Sequence, residues 1–502
     1  MTSNVEIILG PPGTGKTYTL LEKINEYLEA DVDPDRIGFI SFTKKSVTEA
    51  CERAAIKFNK PQTWFKYFRT IHSLSFRQLS LSPSQVMNKA HYLKLGDILG
   101  VKMTGIHRQD QLVYEMAKGD QMVFIESLAR QKVEDMHKTW SDAQADMSFH
   151  EMKYFQESLI KYKRANLLYD FTDMLVRYEA EGYKPDLDVL FVDEAQDLCK
   201  LQWQIVSQMM AKSHNVYIAG DDDQAIYRWS GADVDYFLKL GTTFKTRVLT
   251  QSYRLPHAVY TISQSLTKQI KNRNVKEFKP TSAEGKVEWV SDMGLIDMSQ
   301  GEWLILVRNG FLQYEIIADI RRQGYPYQTA YYTVQDDEGL KAAKLWEKLR
   351  TGGSLTLTDV KLVRSFISKS KRGASGFGHM DRDDTMNLNE LIEMGSFKAG
   401  YGELIWHKAL DLIPRNDRDY YIAVRRREES LTAVPRIKIS TIHGAKGGEA
   451  ENVVLWTDMS DKTWRNMNQN YDDELRVFYV GATRAKKNLF IIQPQTNKYF
   501  QI

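Results

Sequence analysis

Cysteine is nearly absent: Cys51 and Cys199 are the only two in 502 residues. Two thiols can build neither a disulfide framework nor a zinc site. A reducing compartment is the simplest home, so a cytosolic location is expected. Long apolar runs are missing as well. Nothing approaches the roughly 18 residues a membrane span needs, so no membrane partner is expected. The N-terminus runs straight into a motif-bearing strand, and no signal peptide is expected. A dominant charge is also lacking, since 68 Lys and Arg against 65 Asp and Glu leave +3. No global basic field marks a nucleic-acid binder, and any such contact must come from local patches. The length calls for roughly three or four domains.

What is there begins at once. Residues 5–9 read as a short apolar strand, Gly10-Pro11-Pro12-Gly13-Thr14-Gly15-Lys16-Thr17 follows, and residues 18–29 read as a helix. GxxxxGK[ST] between a strand and a helix is the phosphate-binding loop. Its glycines let successive N–H groups converge on one anion. The helix N-terminus adds partial positive charge. Lys16 would reach the β- and γ-phosphates of a nucleoside triphosphate, and Thr17 would hold Mg²⁺. The plainer alternative is a Gly-rich turn with no ligand.

A second strand, 36–42, leads into a helix that Thr43 can cap. Phe42, Thr43, Lys44 and Lys45 then stand at a strand's carboxyl end, where open α/β sheets bind ligands. They suit single-stranded nucleic acid, or a core Phe beside a solvated Lys pair. Residues 60–69 mix Lys60, Lys66 and Arg69 with Trp64, Phe65, Tyr67 and Phe68, which reads either as a single-strand track or as a half-buried strand. His72 follows. From 81 to 165 helical periodicity dominates. The histidines there have no ligand spacing and read as surface residues.

Residues 186–192 form the next strand, ending in Asp193-Glu194. Carboxylates at the end of a buried strand are costly unless a cation sits there. Asp193 is the natural Mg²⁺ partner and Glu194 the natural base for an attacking water. After strand 215–219, Gln224 can sense a γ-phosphate because an amide both donates and accepts. Trp229 lies five residues on, where a base could stack. A second α/β pattern starts past residue 260, with strands at 287–290 and 303–307 and a helix over 311–323. Residues 335–430 read as mostly helical, with a loose Gly- and Lys/Arg-bearing loop at 369–378. The pattern resumes with 437–449, strand 452–456 and a final helix-strand pair. There Arg484 could act as an arginine finger across a cleft.

Taken in order, GPPGTGKT, FISFTKKSVTEA, TIHSL, VDEAQD, GDDDQAIYRWSGAD, TQSYR, ISTIHGAKGGE and VFYVGATRA resemble the UvrD/Rep/PcrA group of superfamily 1 DNA helicases. The resemblance implies an α/β fold of two RecA-like cores with ATP between them, each interrupted by a mostly helical insertion. The first core would be 1–80 and 166–255 with its insertion at 81–165. The second would be 256–335 and 431–502 with a shortened insertion at 336–430. Gly10, Pro11, Gly13, Thr14, Gly15, Lys16 and Thr17 would cradle the phosphates. Asp193 and Glu194 would be the metal and catalytic carboxylates. Gln224 would couple the γ-phosphate to DNA, Tyr253 would stack on adenine, and Arg254 and Arg484 would meet the γ-phosphate. Glu449 would reach the ribose. Phe42, His72, Trp229 and the nearby Thr43, Trp64, Thr441 and His443 would line the DNA path.

The implied activity is 3′→5′ unwinding on single-stranded and tailed duplex DNA, in replication, repair or recombination, with unidentified replication or recombination proteins as partners. A single-strand translocase that displaces proteins uses the same residues. A 5′→3′ RecD/Dda-like enzyme fits Trp229 and YVGATRA less well. A P-loop module without motor function does not need the full carboxylate and arginine set, and RNA would suit a stacking track as well as DNA. Three departures from the family stand out. The upstream glutamine segment that reads adenine is missing, Gly448 replaces the usual Leu and suggests a looser loop, and no C-terminal extension is expected. Compact members of the group occur in phages.

Overall fold

The computed structural model describes residues 4–105, 116–143, 145–373 and 384–502, with the side chain of Lys45 excepted. Two six-stranded sheets organise the chain. The first contains β1 (Asn4–Leu9), β2 (Ile37–Ser41), β3 (Phe68–Arg69), β4 (Leu187–Asp193), β5 (Ser213–Gly220) and β6 (Lys245–Val248), in the order β3-β2-β4-β5-β1-β6. The pairs are parallel throughout. All five residues of β2 are buried, as expected of a strand covered on both faces by crossover helices.

Register does the functional work here. Leu9 pairs with Gly220, Ser41 with Asp193, and Val192 with Ile218. The carboxyl ends of β1, β2, β4 and β5 therefore finish at one level. The phosphate loop, Thr43, Asp193-Glu194 and the 221–229 loop all leave the sheet along that edge, where such sheets bind ligands.

The second sheet contains β7 (Lys286–Val290), β8 (Trp303–Val307), β9 (Tyr327–Gln328), β12 (Ile437–Thr441), β13 (Ala450–Trp456) and β14 (Ala485–Ile492). Its order is β7-β14-β13-β8-β12-β9, again parallel. Between β9 and β12 lies a small antiparallel two-stranded sheet, β10 (Leu355–Thr356) and β11 (Thr385–Met386). Ala450 pairs with Ala485 where β13 and β14 begin. Glu449 and Arg484 thus stand together at the amino edge of the second sheet, facing the carboxyl edge of the first.

The two helical stretches are built differently. Helices Lys89–Leu99, Lys118–Lys132, Met136–Ala143 and Phe149–Asn166 close a core of their own around Met122, Ile125, Met152 and Phe155. Buried ion pairs from Arg130 and Lys163 to Asp170 and Asp173 fasten that bundle to helix Phe171–Glu181. The later helices, Glu338–Arg350 to Arg415–Arg426, instead share one continuous core with the second sheet: Trp346, Tyr421 and Val424 pack in the same cluster as Trp303 and Ile305. The second half of the expected loop at 369–378 lies outside the described residues. Residues 60–69, which read as a track or a half-buried strand, divide. Phe65 and Phe68 are core, and only Phe68–Arg69 is strand.

Candidate nucleotide cleft and aromatic track

The phosphate loop takes its shape from glycine. Gly13 has φ +72°, and a Cβ there would lie 2.3 Å from the Cβ of Arg254. A Cβ on Gly10 would strike the Lys16 side chain at 2.0 Å. Helix Lys16–Glu29 starts directly behind the loop, with Leu20, Leu21 and Ile24 buried. The Lys16 ammonium donates to the Gly10 carbonyl at 2.8 Å.

Opposite the loop stand the carboxylates of β4. The Thr17 hydroxyl donates to Asp193 Oδ2 at 3.0 Å. Burial and the neighbouring Glu194 push the Asp193 carboxyl up to about 7. A fully buried acid in want of a counter-charge, joined to the loop hydroxyl, is a donor set that fits a hard divalent cation. Burial acts on Glu194 as well, but Lys16, Lys446 and Arg484 outweigh it and hold that carboxyl below its usual range. Glu194 also sits at φ +52°, ψ +41°, a left-handed conformation for a residue with a Cβ. Such backbone costs on the order of 1–3 kcal/mol and clusters at functional sites. Gln196 Nε2 donates to Glu194 Oε2 at 2.6 Å and locks it in place.

From the second sheet, Arg484 Nη2 donates to Gln224 Oε1 at 3.0 Å, and its Nη1 to the Gly448 carbonyl at 3.3 Å. Burial, then the charge of Arg254, draws the Arg484 guanidinium down to about 9. Arg254 reaches Glu449 at 2.6 Å, and Lys486 reaches the same carboxylate at 2.9 Å. Glu449, expected at the ribose, is here the partner of two cations. Tyr253 is 77% exposed, held by its N–H to the Gly13 carbonyl at 2.8 Å. The resulting cleft, about 550 Å³, is lined by the phosphate loop, Glu194, Gln224, Arg254, Glu449 and Arg484.

Two residues of this cleft stood inside quoted motifs without a role. Lys446 binds both oxygens of Asp197, at 2.5 and 2.6 Å, and the Gln224 carbonyl at 2.7 Å. The spacing of VDEAQD and AKGGE shows neither partner, because the pair spans the two sheets. The 441–449 loop carries hydrogen bonds of its own. Gly448 N–H bonds the Ala445 carbonyl, Ala445 N–H the Thr441 carbonyl, and Gly444 N–H the Thr441 hydroxyl.

The aromatic residues gather next to the cleft. Trp229 stacks on Phe124 of the first helical bundle, with centroids 5.8 Å apart and planes 18° apart, and meets His443 edge-on at 6.1 Å. Phe42 lies 5.6 Å from Tyr227, whose hydroxyl donates to the His443 carbonyl. Below Trp229 is a cavity of about 130 Å³, bounded by His443, Asn470 and the buried Arg308–Glu474 pair. His443 Nε2 is buried with no hydrogen-bond partner among the described residues, and burial holds its imidazole far below the usual value. His72 sits beneath the exposed Phe171 at 5.8 Å, its ring pushed down to about 4 by burial. Phe124, Phe171 and Tyr227 were not singled out as site residues from sequence. Phe124 and Phe171 fall in helical stretches, where an aromatic reads as core.

Three residues expected along the DNA path make contacts within the protein. Thr43 caps helix Lys44–Lys57 by accepting from Ser46 N–H at 3.2 Å, and it faces the nucleotide cleft. Thr441 is buried and braces its own loop. Trp64 carries the Lys60 ammonium 4.3 Å over its ring and makes no ring contact with Phe42, His72 or Trp229 among the described residues.

Comparison with known proteins agrees with this geometry. Residues 2–245 match the UvrD/REP helicase N-terminal domain and residues 422–496 the UvrD-like helicase C-terminal domain. A probable DNA helicase II homolog of Mycoplasma genitalium is 23% identical over 97% of this chain and 82% of its own. A putative ATP-dependent DNA helicase of Bacillus subtilis, YjcD, is 22% identical over 98% and 77%. DNA helicase II of Rickettsia typhi is 23% identical over 98% and 90%. A solved arterivirus helicase complexed with DNA aligns loosely, at 10% identity and TM-score 0.34; this chain spans 62% of its length. No helix among the described residues is long and apolar enough to cross a membrane. The paired domain matches, the relatives and the two facing parallel sheets place the chain in the UvrD-like group of superfamily 1 DNA helicases.

Proposed function

We propose that the chain is a DNA-stimulated ATPase that moves 3′→5′ along single-stranded DNA and unwinds duplex in replication, repair or recombination. One observation carries the reading: a single loop leaving β5 supplies Gln224 to the nucleotide cleft and Trp229 to the aromatic track. In this reading the two cores are 1–80 with 166–255 and 256–335 with 431–502, and the segments 81–165 and 336–430 are their insertions. The work is cytosolic.

Lys16 leaves the Gly10 carbonyl to bind the β- and γ-phosphates, while the loop N–H groups orient them. Thr17 and Asp193 would hold Mg²⁺, which would supply positive charge to offset that of the phosphates. Glu194, kept ionised by three cations, takes a proton from the attacking water as the bond to the γ-phosphate breaks, yielding ADP and phosphate. Arg484 and Arg254 turn from Gln224 and Glu449 toward the transferring group. Tyr253, exposed beside the loop, stacks on the base. Closure then shifts the Trp229 pocket relative to the opposing core by about one nucleotide. Base–aromatic stacking is worth about 1–3 kcal/mol, and one DNA base-pair step costs about 1.4 kcal/mol to open. One ring can therefore hold one base against the duplex.

The test is strand displacement with ATP and Mg²⁺ on a duplex bearing either a 3′ or a 5′ single-stranded tail. Opening of the 3′-tailed duplex alone is expected. Opening of the 5′-tailed duplex alone overturns the polarity. Stimulated hydrolysis with neither duplex opened selects the translocase that strips bound proteins.

A further inference from the structure

Behind the cleft lies a buried charge knot that the mechanism above does not use. Asp221, Asp222 and Asp223 are 0%, 0% and 1% exposed. Lys276 reaches into all three, with Nζ at 3.1 Å from Asp221, 2.6 Å from Asp222 and 3.0 Å from Asp223. Arg273 grips Asp223 through two nitrogens, at 2.8 and 2.5 Å. Both cations sit on the segment that crosses from the first sheet to the second. Lys279 N–H bonds the Thr250 carbonyl, and Ser252 N–H bonds the Lys279 carbonyl, so the crossover runs alongside the segment that leads from β6 to Arg254.

The knot touches both ends of the cross-cleft contact. Asp221 Oδ2 accepts from Gln224 Nε2 at 2.6 Å, and Gln224 Oε1 accepts from Arg484. Arg476, on helix Tyr471–Ala482, donates from Nε to the Asp222 carbonyl at 2.9 Å and from Nη2 to the Asn272 carbonyl at 2.6 Å. That helix ends two residues before Arg484. The amide that faces the γ-phosphate and the arginine that answers it are thus anchored to one cluster. Three buried carboxylates beside only Arg273 would hold an uncompensated charge and would not keep these orientations.

We propose that Lys276 is a positioning residue: by pinning Asp221 it aims the Gln224 amide at Arg484 and so ties hydrolysis to DNA binding. The proposal rests on the motor reading. Its failure is separable, because a wild-type chain without DNA-stimulated hydrolysis defeats the motor reading itself.

The experiment compares wild type, Lys276→Met, Lys276→Arg, Asp221→Asn, Gln224→Ala and the double variant K276M/Q224A in the full chain. Thermal unfolding confirms folding. With oligothymidine as the single strand, K276M is expected to lower stimulated kcat at least 10-fold while the KM for ATP stays within about 2-fold. K276R should recover a large part of the loss. K276M should add nothing to Q224A, since both cut the same chain of hydrogen bonds. D221N removes a charge from an acid-rich knot and keeps its shape, so it tests the same link if K276M does not fold. It too should lose stimulated kcat at constant KM. Wild-type stimulation in folded D221N, or K276M and Q224A effects that multiply, overturns the proposal.

Discussion

The nucleotide cleft is held by ion pairs and hydrogen bonds from cations, the aromatic track by ring contacts. In the cleft, Lys446 meets Asp197, Arg254 meets Glu449, and Arg484 meets Gln224. A buried charge left alone is expensive, so each side chain freed for a phosphate must exchange one partner for another. In the track, Trp229 lies on Phe124, Phe42 beside Tyr227, and His72 under Phe171. A ring face asks only for another π face, and any base supplies one. On the proposed function, the difference would let the cleft select for phosphate charge while the rings accept a base of any kind.

Four variants would break or sharpen this contrast. The largest effect is expected from Arg484→Ala, which removes the cation proposed to meet the transferring phosphate. Stimulated kcat should fall about 10³-fold or more, read by phosphate release. Unchanged stimulated hydrolysis in this variant would remove Arg484 from the cleft's chemistry. Glu194→Gln keeps shape and loses the base, and kcat should drop about 10²- to 10⁴-fold with nucleotide binding intact. Trp229→Ala should act on the other half only. Single-strand affinity should weaken about 5- to 150-fold, the equivalent of one lost stack, while hydrolysis without DNA changes little.

Asp193→Asn should have the smallest effect, and one that depends on pH. The folded carboxyl is pushed up to about 7, against about 3.9 in an unfolded chain. The fold therefore binds that proton more tightly. The stability this gives is fully present below pH 4 and is lost as pH rises through 7. Without divalent cations, the variant should melt a few degrees (~3 °C) above wild type at pH 8, and the gap should close as pH falls toward 5. A gap that widens on acidification contradicts the account.

How much of this was legible in the sequence also follows the contrast. The phosphate loop, Asp193-Glu194 and both sheets announce themselves through local pattern: an apolar run, a glycine turn, a charged residue at a fixed offset. The opposing half of the cleft is contact across sheets. Lys446 and Asp197 are 249 residues apart in sequence, and no spacing rule links them. The track was legible only in part. An aromatic such as Phe124 or Phe171 carries no local mark that separates a stacking face from a core face. For Thr43 and Thr441 local pattern shows the capping and bracing contacts, since a hydroxyl at a helix start or strand end accepts from nearby backbone N–H groups.

The central claim is that the loop from Gln224 to Trp229 makes one machine of the two regions. The most direct measurement is oligothymidine stimulation of ATP hydrolysis in wild type and in Gln224→Ala, alongside oligothymidine affinity. Wild type should be stimulated at least about 10-fold. Gln224→Ala should bind the strand as tightly and lose the stimulation, because Trp229 is untouched while the link to Arg484 is cut. Full stimulation in Gln224→Ala would contradict the account and leave the cleft and the track as neighbours without a coupling.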